Sequence, residues 1–371
     1  MVWIIIGEIR MFNNLTQCTL VLNRECNFRC DFCYVKGTGY TNNVFIDISN
    51  AKKIVDLCKE ANMKYVVLIG GEPTLYEKLV ELIEYIKSVD LIPTIATNGF
   101  KLSDYDYCKK LINSSIEYID VSLKGFDSNN YKEITGIDGY GKCLAAIENL
   151  HSLNANLNCS MVLTNKNIDN FCSIVSDVFD RNAKGISFCF EIYNDESSKY
   201  GEEYLQEKNP IKLINKFIEQ IDELDKITNG EWWVEYSYPL CMYTDYQLNL
   251  LKNKMASPCQ IITESAITVD ADLNLIPCST FYKQSLGKFG KDFSSYSEFK
   301  KYASRGKYKS VTEKMASRPF EDCMKCKLQE KCGGGCPAYW AHFSLMDLFQ
   351  YKKEFYEKDI QYAKSHKRLN K

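Results

Sequence analysis

Proline is scarce in this sequence, with 8 residues in 371, and glycine contributes only 19. That excludes a collagen-like or low-complexity chain, and an aromatic content of 13% argues for a folded one. No run of about 18 apolar residues occurs, so no membrane-spanning helix can be read from the sequence. The apolar opening, Val2–Ile6, is also too short for the core of a signal peptide. Charge of one sign is lacking too. The 46 Lys and Arg against 48 Asp and Glu leave a formal net charge of -2, which gives no support to a nucleic-acid-coating or polybasic membrane-binding protein.

Cysteine is the residue in excess, at 17. A chain of this length without a signal peptide does not describe a secreted disulfide scaffold. A reducing cytoplasm is the expected compartment, where clustered cysteines bind metal more often than they pair. Met11 offers a second start, so residues 1–16 are read only as an N-terminal extension. The length allows two or three domains and an ample core.

From Gln17 a rhythm of short apolar run, turn and amphipathic stretch repeats. The runs are Cys18–Leu22, Tyr65–Ile69, Ile92–Ala96, Tyr118–Leu123, Leu157–Leu163 and Ile186–Ile192. Between them, apolar residues at helical spacing predict helices over 49–61, 75–89, 105–113, 141–153 and 168–182. Strands alternating with helices imply parallel pairing and right-handed crossovers. Six units predict a partial (β/α)6 TIM-like barrel over residues 17–195, with its chemistry at the carboxyl ends of the strands. Residues 196–254 read as a linker and helical segment, with a helix starting at Pro210. Residues 255–371 read as a small cysteine-rich domain ending in a helix.

The first apolar run leads into RECNFRCDFCY, where Cys26, Cys30 and Cys33 are spaced C-x3-C-x2-C. Three thiolates in so short a loop can hold three irons of a [4Fe–4S] cluster and leave the fourth iron open. A closed zinc site would need a fourth protein ligand, and none lies nearby in sequence. This spacing, with an aromatic residue (Phe32) before the last cysteine, resembles the hallmark of the radical SAM superfamily. Gly70, Gly71, Glu72 and Pro73 after the second run match that family's GGEP motif. The resemblance implies that they receive the amino group of S-adenosylmethionine (SAM). The physical logic is that glycines permit close backbone approach and a carboxylate pairs with an ammonium. Thr97, Asn98 and Ser122 fall where relatives place ribose- and carboxylate-contacting groups. Lys124 and Thr135 depart from the family pattern, and leave open how the SAM carboxylate is neutralised.

A second constellation, Cys323, Cys326, Cys332 and Cys336, is spaced C-x2-C-x5-C-x3-C, and Cys259 and Cys278 flank an apparent hairpin upstream. This order resembles the SPASM domain, an extension of radical SAM enzymes that carries auxiliary [4Fe–4S] clusters. The resemblance implies that Cys259, Cys278 and Cys336 serve one cluster, and Cys323, Cys326 and Cys332 another. The alternative is a zinc ribbon on four of the six. Three departures follow. No cysteine comes after Cys336, so His342, Asp347 or an open iron takes the place of a last ligand. Leu273 stands where the family has a turn glycine. Cys241 is a candidate fourth ligand of the first auxiliary set. Cys18, Cys58, Cys108, Cys143, Cys159, Cys172 and Cys189 read as small buried apolar residues, and Trp232 and Trp233 as core or groove wall.

The resemblance implies reductive cleavage of SAM to a 5′-deoxyadenosyl radical, under anaerobic conditions, and hydrogen abstraction from a peptide or protein. The outcome is oxidative modification or cross-linking. A separate leader-binding protein and an electron donor such as flavodoxin or ferredoxin are the implied partners; the catalytic acid or base is unknown. Alternatives are a radical SAM dehydrogenase or rearranging enzyme for a small molecule, an anaerobic sulfatase maturase, or a non-catalytic iron–sulfur or zinc module. The sulfatase maturase reading is weakened by Ser279, which stands where those enzymes carry a catalytic Asp.

Overall fold

Alternation governs the strands. In β1 (Gln17–Val21), β2 (Tyr65–Ile69), β3 (Ile92–Thr97), β4 (Tyr118–Leu123), β5 (Leu157–Leu163) and β6 (Ile186–Phe190), buried positions alternate with half-buried ones. The buried set (Cys18, Leu20, Val66, Leu68, Ile95, Ile119, Val121, Cys159, Met161, Phe188) belongs to the main core. The other face carries small or polar residues such as Thr19, Asp120, Ser122, Ser160 and Cys189, which border cavities. Large branched residues would fill a closed barrel's interior; these leave room inside. The structure, a computed structural model, describes residues 15–33, 36, 44–192, 209–235, 238–256, 259–316, 323 and 325–338. Residues 1–14, most of the polar stretch 195–209, His342, Asp347 and the expected C-terminal helix lie outside the described residues.

Helices α1 (Ile48–Glu60), α2 (Leu79–Ser88), α3 (Tyr105–Asn113), α4 (Ser128–Thr135), α5 (Tyr140–Ser152) and α6 (Phe171–Phe179) connect the six strands, which pair in parallel and in sequence order. Side-chain caps start several of them, including Asp47 on α1, Asp104 on α3 and Asp127 on α4, each stabilising by about 1 kcal/mol. The rhythm of the sequence found all of these except α4, whose apolar content is slight.

The sheet is longer than six strands. α7 (Pro210–Glu219) and α8 (Ile221–Thr228) lead to β7 (Trp232–Val234), which pairs in parallel with β6. Phe217 of α7 packs on Phe171, Phe188, Phe190 and Trp232 with ring centroids 5.6–5.8 Å apart. That burial anchors a strand of only three residues. At the opposite edge, β8 (Ala266–Val269) pairs in parallel with β1, Gln17 facing Ala266. β9 (Asn274–Ile276) completes the expected hairpin, and β10 (Gly287–Lys288) follows. The order is β10-β9-β8-β1-β2-β3-β4-β5-β6-β7, so the hairpin of the cysteine-rich part covers what would otherwise be an open edge of β1. No described helix is long and apolar enough to cross a membrane.

Candidate active site

The loop after β1 carries Cys26, Cys30 and Cys33, and three anchors fix its path. Phe28, 1% exposed, meets Phe100 and Tyr131 edge-on at centroid distances of 5.9 and 6.0 Å. The amides of Arg29 and Asp31 donate to the carbonyls of Thr135 (2.7 Å) and Ile134 (3.1 Å), groups that the end of α4 leaves unpaired. Gly136 ends that helix with φ 82°, a left-handed conformation that favours glycine. The loop therefore depends on α4, the one helix between the six strands that the sequence reading missed.

The two glycines have a definite steric task. A Cβ on Gly70 would fall 2.0 Å from Asn23 Oδ1, and one on Gly71 would fall 2.2 Å from the carbonyl oxygen of Glu25. The backbones then join: Gly71 N donates to Asn23 O (2.9 Å), Glu72 N to Glu25 O (2.7 Å), and Asn23 Nδ2 to Glu72 O (2.9 Å). The close approach that the sequence suggests for a ligand serves here to seat the cysteine loop.

Glu72 is 2% exposed and its carboxylate takes four hydrogen bonds. Oε1 accepts from Thr74 N (3.1 Å), Thr74 Oγ1 (2.6 Å) and Thr97 Oγ1 (2.6 Å), and Oε2 from Asn98 N (2.8 Å). It locks the end of β3 to the turn after β2. Asn98 passes this order on to the loop, donating through Nδ2 to Asn27 Oδ1 (2.8 Å).

A cavity of about 340 Å³ results, walled by the three cysteines, Phe32, Gly70, Gly71, Glu72, Thr97, Asn98 and Ser122. Pro73 stands behind this wall as the first residue of a short 3₁₀ turn. Sequence reasoning did not single out Asp120, Ser160 or Cys189, which also face the cavity; their alternation along β4, β5 and β6 was the signal available. Cys189 accordingly departs from the buried apolar role expected of it, whereas Cys18, Cys58, Cys108, Cys143, Cys159 and Cys172 are buried as expected. Lys124, 8% exposed, donates to Ser122 Oγ (2.6 Å) and lies 5.6 Å from the centre of the Phe32 ring. Burial pushes the Cys26 and Cys30 thiols up to about 12, with the charge of Lys124 opposing the rise at Cys30. Desolvated sulfurs of this kind ionise when a metal supplies the positive charge.

A second cavity of about 520 Å³ adjoins the first, the two sharing Ile192 and Ser279. Cys259, Cys278 and Cys336 line it with Thr19, Glu235 and Thr268. Burial raises all three thiols, Cys278 to about 11. Glu235 is exposed to the cavity. Desolvation by the protein around the cavity, and secondarily the charge of Asp120, lifts its carboxyl to about 7. Cys323, Cys326 and Cys332 do not line this space, nor does Cys241. Among the described residues, no three His, Cys, Asp or Glu side chains surround a single point as one metal ion requires. A cluster distributes its ligands over several irons instead. Arg24 in the first loop pairs with Asp272 and lies 3.7 Å from Asp270, which ties that loop to the hairpin turn.

Residues 20–178 match the family described as the Radical SAM superfamily. The chain is 31% identical over 134 residues to the probable GTP 3′,8-cyclase of Thermococcus kodakarensis, covering 36% of this chain and 43% of that protein. The probable GTP 3′,8-cyclase of Sulfurisphaera tokodaii is 28% identical over 220 residues, 59% of this chain and 64% of that protein. The chain thus spans less than two thirds of these curated relatives. Among solved structures, Streptococcus suis SuiB bound to precursor peptide SuiA is similar with a TM-score of 0.68 at 15% identity, covering 90% of this chain and 75% of that one. Native anSMEcpe with bound AdoMet and Kp18Cys peptide gives 0.64 at 19% identity, covering 94% and 99%. At such identities the likeness is one of fold.

Proposed function

We propose that this chain, whose residues 20–178 match the Radical SAM superfamily, is a radical SAM enzyme that abstracts hydrogen from a peptide or protein and modifies it oxidatively. Cys26, Cys30 and Cys33 hold the [4Fe–4S] cluster; an all-sulfur donor set on one wall of a cavity suits iron–sulfur ligation. Bound there, cluster and SAM supply a 5′-deoxyadenosyl radical, and auxiliary clusters on the C-terminal cysteines supply an electron acceptor.

The remaining work falls to side chains. Glu72, fixed by its four donors, presents negative charge to the SAM amino group. Lys124, held by Ser122, meets the carboxylate and so fills the place left open by Thr135. Thr97, Asn98 and Ser122 offer polar contacts to the nucleoside, while Phe28 and Phe32 keep water from the cluster side.

The observation that carries this reading is the pair of adjoining cavities, one bordered by Cys26, Cys30 and Cys33 and the other by Cys259, Cys278 and Cys336, with Ile192 and Ser279 common to both walls. A substrate at the shared wall reaches both. The peptide class draws support from SuiB and anSMEcpe, whose structures hold peptides and share the fold over at least 90% of this chain. The curated relatives favour a second reading, a GTP 3′,8-cyclase-like reaction, but the 31% identical match takes in only 36% of this chain. The test is anaerobic turnover of SAM by reduced, iron-loaded protein with a peptide pool or GTP. Peptides that lose two hydrogens as 5′-deoxyadenosine forms support the first reading. GTP consumption with unaltered peptides supports the second, and no SAM cleavage with either removes both.

A further inference from the structure

Cys323, Cys326 and Cys332 supply three sulfurs, and a cubane cluster closed by protein ligands takes four. The structure brings a distant segment against this set. The amide of Leu240 donates to Cys332 Sγ at 3.2 Å, joining residues 92 apart. The approach is tight: a Cβ on Gly335 would lie 2.6 Å from the nitrogen of Pro239, and Gly335 has φ 75°. Residues Leu240–Met242 form one 3₁₀ turn in which Leu240 and Met242 are buried and Cys241 is half-buried. Cys326 Sγ also receives a backbone amide, from Leu328 at 3.4 Å. Amide hydrogen bonds to sulfur are among the features that set the potential of an iron–sulfur cluster.

We propose that Cys241 is the fourth thiolate of the second auxiliary site, with Cys323, Cys326 and Cys332. The assignment rests on the reading above that these cysteines hold iron. It belongs to this set and not to the first, because Cys241 lies next to the residue that bonds Cys332 and is absent from the wall formed by Cys259, Cys278 and Cys336. Each thiol gives its proton to solvent as it binds. The second auxiliary site would then be closed by four sulfurs, while Cys259, Cys278 and Cys336 would offer three to the first.

The full-length chain with Cys26→Ala, Cys30→Ala, Cys33→Ala and Cys278→Ala isolates the second auxiliary site. After anaerobic reconstitution it is expected to retain about four irons. Adding Cys241→Ala should remove most of that iron or leave a three-iron cluster with a different electron paramagnetic resonance signal. Cys241→Ser should retain iron at a shifted reduction potential, which separates ligand loss from misfolding. Cys172→Ala, a buried cysteine outside both cavities, should change neither reading. Unchanged iron content and spectrum in Cys241→Ala overturn the assignment while leaving the second cluster standing. A background without iron overturns the cluster itself, and the assignment with it.

Discussion

Single atoms decide the fit of the first cysteine loop. A methyl group at Gly71 would lie 2.2 Å from the oxygen of Glu25, a residue next to Cys26. Gly71→Ala is therefore expected to displace the loop at a cost of about 1–3 kcal/mol. Iron bound per chain should fall while the far-ultraviolet spectrum stays native; full iron occupancy would refute this. Leu273 is a second steric case. It adopts φ 68° in the hairpin turn, where the expected family residue is glycine. Left-handed geometry costs leucine about 1–2 kcal/mol, and its half-buried side chain returns about 1 kcal/mol through packing on the core. Leu273→Gly should thus leave the unfolding midpoint nearly unchanged. Leu273→Val, β-branched and smaller, loses on both counts and should lower stability by more than 1 kcal/mol in urea titration.

At the scale of elements, the six strands and five of their helices were legible because period-2 and period-3.6 apolar patterns differ sharply there. α4 was missed because Tyr131 and Ile134 alone define its buried apolar face. Its caps, Asp127 before and Gly136 after, were the available signal. The C-terminal hairpin was legible from alternation, but its pairing with β1 was not. Register between segments some 250 residues apart depends on edges that one-dimensional patterning does not record. Arg24 belongs to the same interface. Replacing it with Met removes the charge facing Asp270, a largely buried carboxylate raised by desolvation that keeps its hydrogen bonds from Asp272 N, Asn274 N and Asn274 Nδ2. A loss of up to about 1 kcal/mol is expected, and hydrogen exchange should quicken first in the hairpin. Uniform exchange across the chain would count against that coupling.

Across the whole molecule, the site's two halves were readable as cysteine spacing, but the cavity between them was not. The two adjoining cavities depend on lumen-facing Thr19, Ser122, Ser160 and Thr268 being small, and Glu235, just after β7, borders one of them. That carboxyl sets a pH dependence. Its folded value of about 7 lies above the ordinary 4.5, so the folded state binds the extra proton between those values. This group's contribution to stability is therefore present at pH 4.5 and lost as pH rises through 7. Glu235→Gln should flatten the difference between urea midpoints at pH 5 and pH 8; an unchanged slope would show that the carboxyl titrates normally.

The pairing of β1 with β8 also has a consequence for biosynthesis. Ser265 accepts hydrogen bonds from Thr16, a partner made 249 residues earlier, so the first cysteine loop emerges from the ribosome long before its flank is covered. Maturation factors can reach that loop through an interval that closes once the hairpin docks. Nascent chains halted before residue 266 should accept iron faster than released ones, a difference that radiolabelled iron uptake would register.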